Sequence, residues 1–244
     1  HKNIVSYLDG NFDPPICYIV TEFVDGYSIY GLLKLVKRVP PLVAMCIGME
    51  ILQGIDYLHL HDNIHADLSA PNVLINKVGR VLVTDFGLAF EQEIEDYKNY
   101  MVGTPGYYSP EHITEVAICP QTDIYCIGLI LYELIVGQKA VITHDDRKLI
   151  LNNMKQINFK QIICSDKKMQ HNIQKILYKA LQFNVSRRYQ SAEEMMFDIY
   201  LLLKKYNIRY GRHAIFKFLW NYNLTPYKFE GKDQEIYQGF ITSN

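Results

Sequence analysis

The apolar positions along this chain follow two rhythms, and the rhythm changes several times. Residues 16–24 form a β-branched and aromatic run bounded by Pro14-Pro15 before it and Asp25-Gly26 after it, the pattern of a buried strand ending in a turn. Over residues 41–61, Val43, Ile47, Ile51, Ile55 and Leu58 recur at threes and fours, which predicts a long helix with one core face. Two short runs, 73–75 and 81–83, flank Asn76-Lys77-Val78-Gly79-Arg80 and predict a hairpin. From Asp85 to about Glu111 the periodicity fails, and so long a patternless stretch in a compact domain is usually functional or disordered. Helical spacing returns over 121–137, 171–183 and 192–206. The last begins with Ser191-Ala192-Glu193-Glu194, a capping box in which serine and glutamate satisfy exposed backbone donors. No repeat or low-complexity segment is present, and the one candidate boundary lies near Asn207, where an aromatic-rich tail begins.

Composition narrows the class. Of the 244 residues, 49% are apolar and 21% charged, enough for a sizeable core in one large or two small domains. The formal charge of −1 argues against a broad electrostatic grip on nucleic acid or anionic lipid. Five cysteines, Cys17, Cys46, Cys119, Cys126 and Cys164, show no CxxC or zinc-ligand spacing, and are expected to be reduced, buried thiols in a cytoplasmic protein. The most apolar stretch, residues 124–137, is 14 residues long and contains Glu133. A membrane span needs roughly 18 to 20, so the expectation is a core helix and no membrane segment.

Three segments concentrate chemistry. They are His65-Ala66-Asp67-Leu68-Ser69-Ala70-Pro71-Asn72, then Asp85-Phe86-Gly87, then Gly103-Thr104-Pro105-Gly106-Tyr107-Tyr108-Ser109-Pro110-Glu111. Singly, their Asp and Asn residues are ordinary turn formers. As an ordered set they resemble the catalytic loop, the metal-binding DFG and the end of the activation segment of the eukaryotic-type protein kinase family. Matching nine such positions in order by chance has odds on the order of one in a billion or less.

The resemblance covers residues 1–204 and implies an α+β, protein-kinase-like fold: a mostly helical large lobe and a truncated, strand-rich small lobe. It divides the chain into 1–24 (partial small lobe and hinge), 25–206 (large lobe) and 207–244 (aromatic-rich extension). It implies transfer of the ATP γ-phosphate to serine or threonine hydroxyls of a protein substrate, with Mg²⁺. Asp67 would orient the acceptor hydroxyl and take its proton, while Asn72 and Asp85 would hold the metal through oxygen, as a hard cation prefers. Ser69 and Thr104 join Asp67 as catalytic candidates. Thr21 would guard the back of the adenine pocket, the backbones of Glu22 and Val24 would bond adenine, and Leu74 would form the pocket floor. Asp123 resembles the helix carboxylate that anchors the catalytic loop's backbone, and Glu111 with Arg187 the pair tying the activation segment to the large lobe.

The chain also departs from the family. The glycine-rich loop, the phosphate-pairing lysine and its glutamate partner would all precede His1, so the expectation is a segment of a longer protein that alone binds ATP poorly. Ala66 replaces the arginine that in the family receives an activation-segment phosphate. Between Asp85 and Gly103 there is no Ser or Thr, only Tyr97 and Tyr100, so control by something other than phosphorylation of that segment is expected. Ser69 stands where serine/threonine kinases usually place a lysine, whereas Thr104 in Gly-Thr-Pro-Gly-Tyr resembles the serine/threonine group. The alternative is a pseudokinase acting as a binding or scaffolding module, which has no need of Asp67, Asn72 and Asp85 together. A small-molecule kinase of the same fold fits 103–111 less well. In the tail, Tyr210, Phe216, Phe218, Trp220, Tyr222, Tyr227 and Phe229 interleave with Arg209, Arg212 and Lys217. A nucleic-acid stacking surface is weighed there against a helix packing on the large lobe, and the helix is preferred.

Overall fold

The computed structural model describes residues 1–86, 90–91, 103–114, 117–208 and 211–226. At the front, β1 (Tyr7–Asn11) pairs antiparallel with β2 (Tyr18–Thr21). Here the expectation of a buried strand is corrected: all four residues of β2 are exposed, and among the described residues β1 is its only strand partner. Its β-branched and aromatic residues favour extended backbone whether or not a partner covers them.

β3 (Gly26–Ser28) leads into α1 (Ile29–Val36), whose first turn is capped by Ser28, the Oγ accepting from the Gly31 N–H. Next come α2 (Pro41–His59) and β4 (Asn63–Ile64). The expected hairpin is present as β5 (Val73–Asn76) and β6 (Val81–Val83), joined to β3 in a sheet of order β3-β5-β6. The front of the chain reaches this sheet directly: Val5 donates its N–H to Val83 and Asn3 accepts from it, both at 2.9 Å. β7 (Phe90–Glu91) pairs with β4.

The remainder is helical: α3 (Pro110–Thr114), α4 (Pro120–Val136), α5 (Arg147–Lys155), α6 (Lys167–Ala180), α7 (Ala192–Lys205) and α8 (Gly211–Asn221). α4 is buried nearly all round, as a helix apolar on every side must be, and stops at Gly137 in the left-handed conformation glycine favours. α2 packs on α4, α7 and α8. By length and composition α2 alone among the described helices would also pass for a membrane span, but half of that window is buried inside the fold.

α8 carries the tail's described part. Ile215, Phe218 and Leu219 enter the main core while Trp220 and Tyr222 stay largely exposed. The helix lies against Gly79 in the β5–β6 turn, where an added Cβ would sit 2.7 Å from the Arg212 carbonyl oxygen. Tyr97, Tyr100, Arg209, Tyr210, Tyr227 and Phe229 lie outside the described residues.

Candidate active site

Asp123 organises the loop that carries Asp67. It is fully buried on α4 and accepts the backbone N–H groups of His65 (3.0 Å) and Ala66 (2.9 Å) and a hydrogen bond from His59 Nε2 (2.9 Å). Burial alone would raise its pKa; the His59 hydrogen bond, the His59 and His65 rings and the His65 N–H outweigh it and hold the carboxyl below its ordinary value. The anchoring expected of Asp123 is therefore present, with His59 as a third partner that no sequence signal marked. Ala66 is held at φ 61°, a left-handed conformation that costs an L-residue roughly 1–2 kcal/mol. Both of its backbone groups are tied down, the N–H by Asp123 and the carbonyl by His112 Nε2 at 2.8 Å.

The next residue, Asp67, is gripped on both oxygens. Its Oδ1 accepts from the Thr104 N–H and Oγ1, each at 2.7 Å, and its Oδ2 from Asn72 Nδ2 at 3.2 Å. Asn72 Nδ2 also donates to the Asp67 carbonyl at 3.0 Å. With its amide nitrogen so engaged, Asn72 presents its oxygen end as the free donor atom. The Thr84 N–H donates to the Asn72 carbonyl at 3.0 Å, and His65 Nε2 contacts the Thr84 carbonyl at 3.1 Å. These bonds set Asp85, one residue on, beside Asn72. Asp85 has φ 64°, which Asp tolerates better than most residues. Phe86 packs half-buried against the core with its ring 5.0 Å from that of His65, and Asp85 is exposed.

Asn72 and Asp85 fit Mg²⁺ as a pair of oxygen donors. Among the described residues no group of three or more His, Cys, Asp or Glu could hold a metal. One carboxylate and one amide oxygen, completed by water and substrate phosphates, suit Mg²⁺, a hard cation that takes oxygen ligands and keeps several waters.

The residues expected to meet the nucleotide lie at the front of the chain and in β5. Thr21 is exposed and Leu74 half-buried. Glu22 has its N–H bonded to the Ser6 carbonyl and its carboxylate engaged by Ser6 and Arg80. The Ser6 N–H, Ser6 hydroxyl and Arg80 together hold that carboxyl below its ordinary pKa. Among the described residues nothing bonds the Glu22 carbonyl or the backbone of Val24, the groups expected to meet adenine. A hollow beside the hinge is lined by Glu22, Val24, Lys77 and Arg80 among others, but not by Thr21, Leu74, Asn72 or Asp85. The structure thus brings Asp67, Asn72 and Thr104 into hydrogen-bond contact, with Asp85 one residue beyond a backbone bond to Asn72, and leaves the set expected to face adenine partly accessible. Ser69 stands apart from the expected rim of catalytic groups. It is fully buried and its Oγ has no hydrogen-bond partner among the described residues.

On the far side of Asp67, the segment 103–109 is clamped to the helices. Lys139 Nζ donates to the Pro105 carbonyl at 2.8 Å and lies 4.5 Å over the Tyr107 ring, while the Tyr107 hydroxyl bonds Glu133. Burial first, then the Glu133 carboxylate, pushes the Tyr107 phenol pKa up. A hollow lined by Pro105, Tyr108, Thr143, His144, Asp145 and Ile150 opens beside it. Glu111 is tied to the large lobe as expected, but by Arg188 and not Arg187. Arg188 Nη2 and Nη1 meet Glu111 Oε1 and Oε2 at 2.7 and 2.9 Å. Arg188 is 2% exposed, whereas Arg187 ends an exposed turn of 3₁₀ helix. The bond is a buried bidentate pair, not a surface ion pair.

This arrangement pins the Asp67 carboxylate, sets Asn72 next to it and clamps the segment 103–109 to the helices. The protein kinase domain model matches residues 1–201, and the chain belongs to that family. It is 36% identical over 207 residues to the probable serine/threonine-protein kinase PknB of Lactococcus lactis, covering 82% of this chain and 32% of that protein. It is 29% identical over 203 residues to the serine/threonine-protein kinase PrkC of Bacillus subtilis, covering 82% of this chain and 31% of that protein. A probable serine/threonine-protein kinase of Clostridium perfringens is 29% identical over 212 residues, 85% of this chain and 30% of that protein. The chain spans about a third of the length of these curated relatives.

Proposed function

We propose that the protein containing this chain transfers the γ-phosphate of ATP to serine or threonine hydroxyls of a protein substrate, with Asp67 as the residue that orients the acceptor and receives its proton. The observation that carries this reading is the seating of Asp67 by Thr104 and Asn72, with Asp85 exposed beside them. Bound at Asn72 and Asp85, Mg²⁺ would neutralise charge on the phosphates. Asp67 keeps its carboxylate aimed because Thr104 and Asn72 fix both oxygens, so an acceptor hydroxyl meets an already positioned base. Thr104 itself belongs to the clamped segment, which links peptide docking to the orientation of the base. The unbonded Glu22 carbonyl and Val24 backbone are suited to the edge of adenine, with Leu74 below it.

The serine/threonine preference is supported by Thr104 and by the names of the relatives. The division into 1–24, 25–206 and 207–244 belongs to the same proposal, supported by a family match that ends at residue 201 and by α8 as a separate helix. So does a cytoplasmic setting, supported by five unpaired thiols. The test is incubation of the full-length protein with Mg²⁺, labelled ATP and a generic protein acceptor, followed by acid hydrolysis. Label on phosphoserine and phosphothreonine is expected; label on phosphotyrosine alone, or on neither, would sink the assignment.

A further inference from the structure

His112 joins two elements whose relative placement decides where Asp67 points. Its Nδ1 lies 3.0 Å from the Ser109 backbone nitrogen. That N–H can only donate, so Nδ1 is an acceptor and carries no proton. The remaining nitrogen, Nε2, then bears the hydrogen and donates it to the Ala66 carbonyl at 2.8 Å. The Ser109 hydroxyl, 2.9 Å from Nδ1, reinforces the same tautomer. His112 therefore closes the first turn of α3 with one nitrogen and holds the strained residue before Asp67 with the other.

Two consequences follow for the loop. Ala66 sits at φ 61° with a small side chain that makes no polar contact, so its conformation depends on what grips its backbone. α4 grips the N–H through Asp123, and α3 grips the carbonyl through His112. Thr104, at the start of the segment that ends in α3, grips the side chain of Asp67. The segment thus meets the loop at two points on consecutive residues, both through uncharged donors.

We propose that His112 is a positioning residue for phosphoryl transfer: as a neutral, Nε2-protonated imidazole it couples the end of the 103–114 segment to the backbone before Asp67, seating the base without an added phosphate. This inference rests on the function proposed above. The groups around the ring fit it. Glu111 on α3, Asp123 on α4 and Asp67 in the loop favour the imidazolium, yet each is already engaged, by Arg188, by His59 with two backbone N–H groups, and by Thr104 with Asn72. Burial outweighs them and keeps the ring's pKa below its ordinary value. Tyr108 adds a ring 6.0 Å away.

The experiment compares full-length wild-type protein with H112Q and H112L, with D67N as the inactive reference. Glutamine can accept from Ser109 and donate to Ala66; leucine fills the space and does neither. The expected result is a kcat lowered roughly ten- to a hundredfold in H112L, KM for ATP unchanged, and most of the kcat restored in H112Q. An H112L enzyme that turns over like wild type, or an H112Q no better than H112L, would overturn it. Ring-nitrogen NMR of the wild type gives a readout independent of mutant folding: Nε2–H with bare Nδ1 is expected, and a proton on Nδ1 contradicts the proposal. A wild type that transfers no phosphate fails the proposed function; an active wild type with an unaffected H112L fails this inference alone.

Discussion

Arg188 uses every N–H it has. Nε donates to the Gln182 carbonyl, Nη1 to Glu111 and the Gln121 carbonyl, and Nη2 to Glu111 and the Phe183 carbonyl. Its guanidinium also lies 4.7 Å over the Tyr125 ring. Removing one partner of such a buried pair strands the other's charge, at about 3–5 kcal/mol. R188A should lose that much in urea denaturation, while R187A should stay within about 0.5 kcal/mol of wild type. Equal losses would contradict the pairing. Asp123 makes a pH-dependent prediction. Its folded pKa is lowered, so its stabilisation is full above the unfolded value of about 3.9 and fades as pH falls from there through the folded value. Wild type should outlast D123N at neutral pH and converge on it in strong acid, measured by denaturation midpoints from pH 7 down to about pH 1; a constant gap over that range would refute the linkage. At this scale the sequence was informative where chemistry restricts the residue type. Asp67, Asn72, Asp85 and Asp123 were legible as a set. His59, His112 and Lys139 were not, because their roles arise from contacts between segments far apart in the chain. Arg188 was missed by one position, since two adjacent arginines offer no local sign of which points inward.

The elements divide the same way. α2, α4 and the β5–β6 hairpin were legible because their apolar residues recur at helical spacing or in short β-branched runs, and most of them are buried. α5 was not, because Ile150 and Met154 are its only buried residues and the rest of its sequence is polar. α6 begins four residues before its apolar rhythm, at a point set by the Asp166 side chain, which accepts the N–H groups of Lys168 and Met169. The expected capping box of α7 is half formed. Ser191 Oγ accepts from the Glu194 N–H, but the Glu194 carboxylate turns to the Gln190 N–H and to Lys179. α8 depends on Gly79, which has φ 78° and would place a Cβ against the Arg212 carbonyl and the Phe216 nitrogen. G79A should therefore loosen α8 at a cost of about 1–3 kcal/mol. Amide exchange would show it as faster exchange over 211–221 with little change in α4; unchanged protection of α8 would show that Gly79 does not set its docking.

For the whole molecule, the described structure holds the loop around Asp67 firmly and leaves much of its front strands exposed. The large-lobe half is assembled: Asp123 anchors the loop, Thr104 and Asn72 aim Asp67, and Phe86 packs inward with Asp85 outward. At the front, the Glu22 carbonyl and the Val24 backbone have no hydrogen-bond partner among the described residues, and Tyr7, Leu8, Tyr18, Ile19 and Phe23 are exposed. On the proposed function, catalysis by the full-length protein turns on Asp67 more than on any other residue described. The direct measurement is the rate of phosphate transfer from Mg-ATP to a protein acceptor by wild type and D67N, with ATP binding followed in parallel. D67N should lose about 10²- to 10⁴-fold in rate and bind ATP as tightly as wild type. A D67N protein that phosphorylates at the wild-type rate would contradict the account.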